Sequence, residues 1–191
     1  MDPVFTLPYS EFVVAQRLSR LLPPRDGFSI HTPLSRQEPG VDLVVLRRNG
    51  RHTRSATVQV KSSRTYSRRT QTERTRRPFR FYTWFNTFEC PPQADFFCLV
   101  ALFPAVVAAQ RRELGTWWAP QVLLFSHREM DRFLKTVRTV AGKRDRMFGF
   151  GFDRPVEVFQ TRGDRARRYR DYSAYLLERH IREMRRFLGV S

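Results

Sequence analysis

Cysteine is almost absent from this chain: Cys90 and Cys98 are the only two in 191 residues. Their separation, with Cys98 inside an apolar run, fits neither a disulfide framework nor a zinc site, so reduced thiols in a cytosolic protein are expected. His31, His52, His127 and His180 are scattered without ligand spacing, and none has a neighbour that makes it a catalytic base. No apolar run reaches the roughly 18 residues that span a bilayer, and Met1-Asp2-Pro3 does not open a secretory leader. A soluble, cytoplasmic protein without a membrane partner is the expectation. The chain also lacks an internal repeat, a Gly-rich phosphate loop and a nucleophile elbow.

Acids are scarce too. Lys and Arg number 35 against 18 Asp and Glu, a formal net charge of +17. Such an excess favours a polyanionic partner through phosphate neutralisation and counterion release, and nucleic acid is the obvious one. Lysine occurs only at positions 61, 135 and 143, the mark of a GC-rich genome; that bias explains Arg over Lys but not bases over acids. The length suits one domain with a sizeable core.

The densest information lies between Gly40 and Lys61. Two β-branched runs, Val41 to Leu46 and Ala56 to Val60, flank an Asn49-Gly50 pair, a strong hairpin signal because both residues tolerate the positive φ of a type I′ turn. Pairing Arg48 with Arg51 sets Asp42 opposite Thr57, with Gln59 one diagonal step away on the same face. Side chains alternate across a strand, so Thr57, Gln59 and Lys61 line one face while Val58 and Val60 point into the other. An acid, an amide and an ammonium converge. Solvated strand-end residues would give the same pattern.

A third element adds to them. From Pro8 to Leu22, Val14, Ala15, Leu18, Leu21 and Leu22 recur at helical spacing, and Glu11 falls on their stripe near the helix start. A buried carboxylate needs a cation or strong donors; a metal, the helix dipole or an Arg partner would each serve.

Glu11 in a first helix, Asp42 after Gly40-Val41 in a strand, and Gln59-Val60-Lys61 in the next strand resemble the PD-(D/E)xK nuclease superfamily, the restriction-endonuclease-like fold. The resemblance covers roughly the first hundred residues, with Asp95 to Phe103 similar to the next core strand. Val41 stands where the name-giving proline would be, and Gln59 replaces the usual acid. Some relatives, including a transposase-associated endonuclease, are similar in carrying Gln here while the helix Glu completes the metal shell. The resemblance implies an α/β domain with a mixed central sheet flanked by helices. It also implies Mg²⁺ or Mn²⁺ held by Glu11, Asp42, the Gln59 amide and the Val60 carbonyl, with Lys61 as electrophile. The implied activity is metal-dependent endonucleolytic cleavage of DNA. Two alternatives stay open: an inactive nucleic-acid binder that keeps the fold, and an RNA-binding basic protein with no active site. No dimer face is evident, so a homodimer or a protein partner remains open.

The remaining chain is assigned more coarsely, as one domain over residues 1–191 with its core in about 1–125 and an extension in about 126–191. Pro23 to Gly27 ends the first helix, and Phe28 to Thr32 forms a strand. Ser62 to Arg80 lacks apolar periodicity and reads as a solvated loop, whose Arg64, Arg68, Arg69, Arg74, Arg76, Arg77 and Arg80 are placed to clamp a DNA backbone. Phe81 to Phe85 alternates as a core strand, although aromatics beside basic residues also stack on unpaired bases. Trp117 to Phe125 is a further strand. Ser126-His127-Arg128-Glu129 has capping-box spacing before a helix. Met147 to Phe152 and Val156 to Gln160 form a late hairpin in which Gly149 and Gly151 permit close backbone approach. A basic helix from about Arg165 to Leu188 closes the chain, its Leu177, Ile181, Met184 and Leu188 forming an apolar stripe.

Overall fold

The computed structural model describes residues 9–33, 40–67, 78–104, 118–166 and 168–190. Helix α1 (Tyr9–Leu21) leads through a short 3₁₀ turn, Pro24–Asp26, to strand β1 (Phe28–His31). Then come β2 (Leu43–Asn49), β3 (His52–Ser67), β4 (Phe81–Asn86), β5 (Phe96–Pro104) and β6 (Trp118–Ser126). Helix α2 (His127–Thr136), strands β7 (Met147–Phe152) and β8 (Phe159–Arg162), and helix α3 (Leu177–Phe187) complete the order. All eight strands belong to one mixed, largely antiparallel sheet that runs β1-β2-β3-β4-β7-β8, with β5 paired to β3 and β6 to β5. The exception is β5, which runs parallel to β3 from Val58↔Phe96 to Arg64↔Leu102.

Alternation along β2 and β3 sorts their residues between two cores. Leu43, Val45, Ala56 and Val58 face a cluster with Val13, Val14 and Leu18 of α1 and Ile181 and Met184 of α3. The opposite face carries Phe97, Leu99 and Phe125, which meet Phe133 and Leu134 of α2 and Phe148 and Phe150 of β7. With both faces covered, β5 reads as a continuous apolar run, Phe96 to Ala101 all buried, as a strand inside a two-faced sheet must.

Helix α2 begins as its sequence implies. The Ser126 N–H donates to Glu129 Oε2 at 2.8 Å, completing the capping box. His180 of α3 also lies 3.1 Å from both Glu129 carboxylate oxygens, tying the two helices together. Burial alone would raise the Glu129 pKa; the bonds from His180 and Ser126 overcome this and hold it down at about 2.

Four expectations need correction. The β2–β3 register pairs Asn49 with His52 and Leu43 with Val58, because the turn is centred on Gly50 and Arg51. Gly50 has φ +60° while Asn49 and Arg51 keep negative φ, the pattern of a type II′ rather than a type I′ turn. The shift is two residues, so no side chain changes face. Second, Ser62 to Ser67 is strand, not loop: β5 supplies ladder partners through Arg64, and β4 pairs with Thr65, Tyr66 and Ser67. Backbone pairing there overrides the lack of apolar residues. Third, β8 starts at Phe159, three residues later than Val156. Fourth, the closing helix starts at Leu177, not Arg165. Asp164 turns back to accept the N–H groups of Ala166 and Arg168, Tyr169 has φ +47°, and the Tyr172 N–H donates to the Val158 carbonyl.

The two glycines of β7 make the close approaches expected of them. A Cβ on Gly149 would lie 2.4 Å from the Trp84 ring, and one on Gly151 would lie 2.5 Å from the Phe79 ring. Both cysteines are free thiols. Among the described residues no helix is long and apolar enough to cross a membrane.

Candidate functional site

The candidate site begins at a glycine. Gly40 has φ +88°, and a Cβ there would fall 2.4 Å from the Pro91 ring and 3.4 Å from the Gln59 amide nitrogen. Only glycine both adopts this conformation without strain and lets the chain pass that close. The turn delivers Asp42 to the end of β2, where its N–H donates to the Val58 carbonyl at 2.9 Å. The β2–β3 ladder ends at Leu43↔Val58, and this bond holds Asp42 against Val58 rather than Thr57.

The Asp42 side chain does not simply stand off the sheet. Its Oδ2 accepts the Val60 N–H at 2.7 Å, so the carboxylate lies along the edge of β3 where a partner strand's carbonyl would otherwise sit. In an extended strand the N–H and C=O of one residue point to the same edge. The Val60 carbonyl therefore points toward the edge that Asp42 occupies. These bonds bring Asp42 onto Val58 and Val60, the two residues that flank Gln59 in β3.

Gln59 and Lys61 follow on the face opposite Val58 and Val60. Gln59 is 7 % exposed, and its Oε1 is a buried acceptor with no hydrogen-bond partner among the described residues. Leaving such an acceptor bare costs about 1–3 kcal/mol, so the position calls for a donor or a cation. The Lys61 Nζ lies over the Phe88 ring, 5.5 Å from its centroid. The ring face attracts a cation and so fixes where the Lys61 side chain lies.

Glu11 enters from the other layer. It sits in the first turn of α1 and is buried at 7 % exposure, and α1 packs on the face of β3 that carries Val58 and Val60. The edge at Asp42 and Val60 lies between that layer and the one holding Gln59 and Lys61. Arg64 is exposed on β3, while Arg68, Arg69, Arg74, Arg76 and Arg77 lie outside the described residues.

Some of the surroundings were missed. Phe88, under Lys61, and Pro91, against Gly40, follow β4 at positions where no periodicity marks them. Asp95 fastens the start of β5 to β3: its carboxylate accepts the Thr57 N–H at 2.8 Å and its own N–H donates to the Thr57 carbonyl at 3.1 Å. An acid just before an apolar strand was the available signal.

Every donor at this edge is oxygen, which suits a hard divalent cation such as Mg²⁺ or Mn²⁺. The unpartnered Gln59 oxygen is the feature such an ion would relieve. Among the described residues no three His, Cys, Asp or Glu side chains gather to hold a metal, so an ion here would depend on amide and backbone oxygens as well as carboxylate. Comparisons with protein-family models, with curated proteins and with solved structures found no match to this chain.

Proposed function

We propose that this protein is a divalent-metal-dependent endonuclease that hydrolyses DNA phosphodiester bonds on a restriction-endonuclease-like fold. One observation carries the reading: the Gln59 amide oxygen is buried and, among the described residues, unpartnered beside the strand edge that holds the Asp42 carboxylate. The parallel pairing of β5 with β3 supports the fold assignment, since it makes β5 the next core strand of a mixed sheet.

Each residue has a defined part. Asp42 is anchored through Oδ2 by Val60 and keeps Oδ1 to meet a cation. Gln59 offers its amide oxygen, Val60 its carbonyl and Glu11 its carboxylate, directly or through water. Bound Mg²⁺ or Mn²⁺ supplies Lewis acidity and lowers the pKa of water. Lys61 stands two residues beyond Gln59 on the same face, where its ammonium stabilises charge developing on phosphate oxygens or orients the attacking water. Charge fixed in place before the reaction is commonly the largest catalytic contribution.

A second reading, a nucleic-acid-binding protein that keeps the fold without catalysis, is favoured by the lack of a three-ligand acidic cluster among the described residues. Incubating plasmid, linear duplex and single-stranded DNA with Mg²⁺ or Mn²⁺ separates the two. Wild-type protein should cleave at least one substrate, and Asp42→Ala and Lys61→Ala should each lose about 10² or more in rate. Absence of cleavage on all substrates supports the binder, and equal cleavage by both variants rejects the site.

A further inference from the structure

The outer face of β3, β4 and β7 carries a second feature that the proposed catalytic edge does not use. Tyr66 pairs with Tyr82 across β3 and β4, and alternation puts Trp84 on the same face. The Tyr82 and Trp84 rings lie 6.0 Å apart and 15° from parallel, and Tyr66 lies 5.0 Å from Trp84. Their partners across β7 are glycines, Tyr82↔Gly151 and Trp84↔Gly149. The Trp84 ring lies against Gly149 and the Phe79 ring against Gly151, so the two glycines let the aromatic row pack close onto the sheet. A cleft of about 420 Å³ opens there, with Tyr82 and Trp84 on one wall and Arg138 and Thr139 among its other lining residues.

The polar groups around this cleft are unequally committed. Arg162 is held by Asp145 at 3.0 Å, and Asp164 is bonded to its own loop. The Arg138 guanidinium, by contrast, makes one long bond of 3.4 Å to the Val137 carbonyl. Thr139 and Thr161 also line the cleft, and among the described residues their buried hydroxyls have no hydrogen-bond partners. Tyr169, the only described non-glycine residue with positive φ, also lines it. Backbone strain of this kind concentrates at ligand sites. On β3, continuing the register by one step sets the exposed Arg64 beside Trp84.

We propose that this cleft takes an unpaired base of single-stranded nucleic acid. The base stacks on the partly exposed Trp84, which Tyr82 backs from within the sheet, and Arg64 and Arg138 flank the backbone phosphates. Aromatic faces beside guanidinium groups are the combination that binds single strands without sequence preference. A duplex keeps its bases stacked inside and cannot offer one to this wall. The inference does not rest on catalysis: it concerns binding and holds for a nuclease and for an inactive binder alike.

The test measures binding in EDTA, with no cleavage, by fluorescence anisotropy of a labelled oligothymidylate, the same strand made abasic, and a duplex of equal length. Wild-type protein should bind the oligothymidylate about tenfold more tightly than the abasic strand. Trp84→Ala should erase that difference and leave duplex affinity within about twofold, while Trp84→Phe should retain most of it. Arg138→Gln, a change at the cleft rim, should weaken both single strands by a similar factor, which keeps the test decisive should Trp84→Ala fail to fold. Equal wild-type affinity for the two single strands overturns the proposal. So does a folded Trp84→Ala protein that keeps the wild-type difference, or an Arg138→Gln protein with unchanged single-strand binding.

Discussion

Gln59 shows how far single residues could be read from the sequence. Its face and its neighbour Lys61 followed from alternation, whereas its proximity to Asp42 was argued from a hairpin register that proved two residues off. What the chain did not reveal was the in-plane use of the Asp42 carboxylate, because a side chain replacing a backbone acceptor leaves no periodic trace. Restoring an acid with Gln59→Glu should tighten Mn²⁺ binding about tenfold or more, since a carboxylate is a stronger ligand than an amide for a hard cation. Isothermal titration would read the change, and an unaltered isotherm would place Gln59 outside the ligand set. Gly40→Ala is expected to cost about 1–3 kcal/mol from its left-handed φ and the close Pro91 ring. Chemical denaturation measures that cost; wild-type stability in the variant would mean that this turn relaxes freely.

Among the elements, those with strong periodicity or caps were legible and those defined by long-range pairing were not. Helix α1, the hairpin and the start of α2 were plain, because apolar spacing, Asn49-Gly50 and Ser126-Glu129 are local signals. Ser62 to Ser67 looked like loop because its strand character comes from β4 and β5, residues distant in sequence. The closing helix was overextended because its arginines continue upstream while its apolar stripe does not. His180 likewise gave no hint that it would reach Glu129, which caps another helix. With its folded pKa held at about 2 against an ordinary value near 4.5, Glu129 stabilises the fold fully above about pH 4.5. That contribution is lost as pH falls toward 2. Glu129→Gln keeps an oxygen for the capping box but removes the charge, and should lower Tm at pH 7 by about 2–6 °C and by less as pH is lowered through this window. A Tm difference that stays constant from pH 7 to pH 3 would contradict this role.

For the molecule as a whole, charge was the clearest signal and its placement the least clear. A net charge of +17 says nothing of where the excess lies. The fold sets Arg64 on the outer face of β3 beside an aromatic row, while α1 and α3 cover that face further along the sheet. DNA affinity should therefore fall steeply with salt, and Arg64→Ala should lower it similarly across sequences and reduce the log–log salt slope by about 1. Anisotropy titrations from low to moderate salt supply both numbers. An unchanged slope would remove Arg64 from the contact surface.

The cation site proposed at the Asp42 edge is most directly tested by electron paramagnetic resonance of Mn²⁺ added to the protein without DNA. Wild-type protein should bind one ion per chain, Asp42→Ala should lose it, and Gln59→Leu should weaken it while remaining folded. Undiminished Mn²⁺ binding in both variants, or none in the wild type at millimolar metal, would contradict a metal centre built on these oxygens.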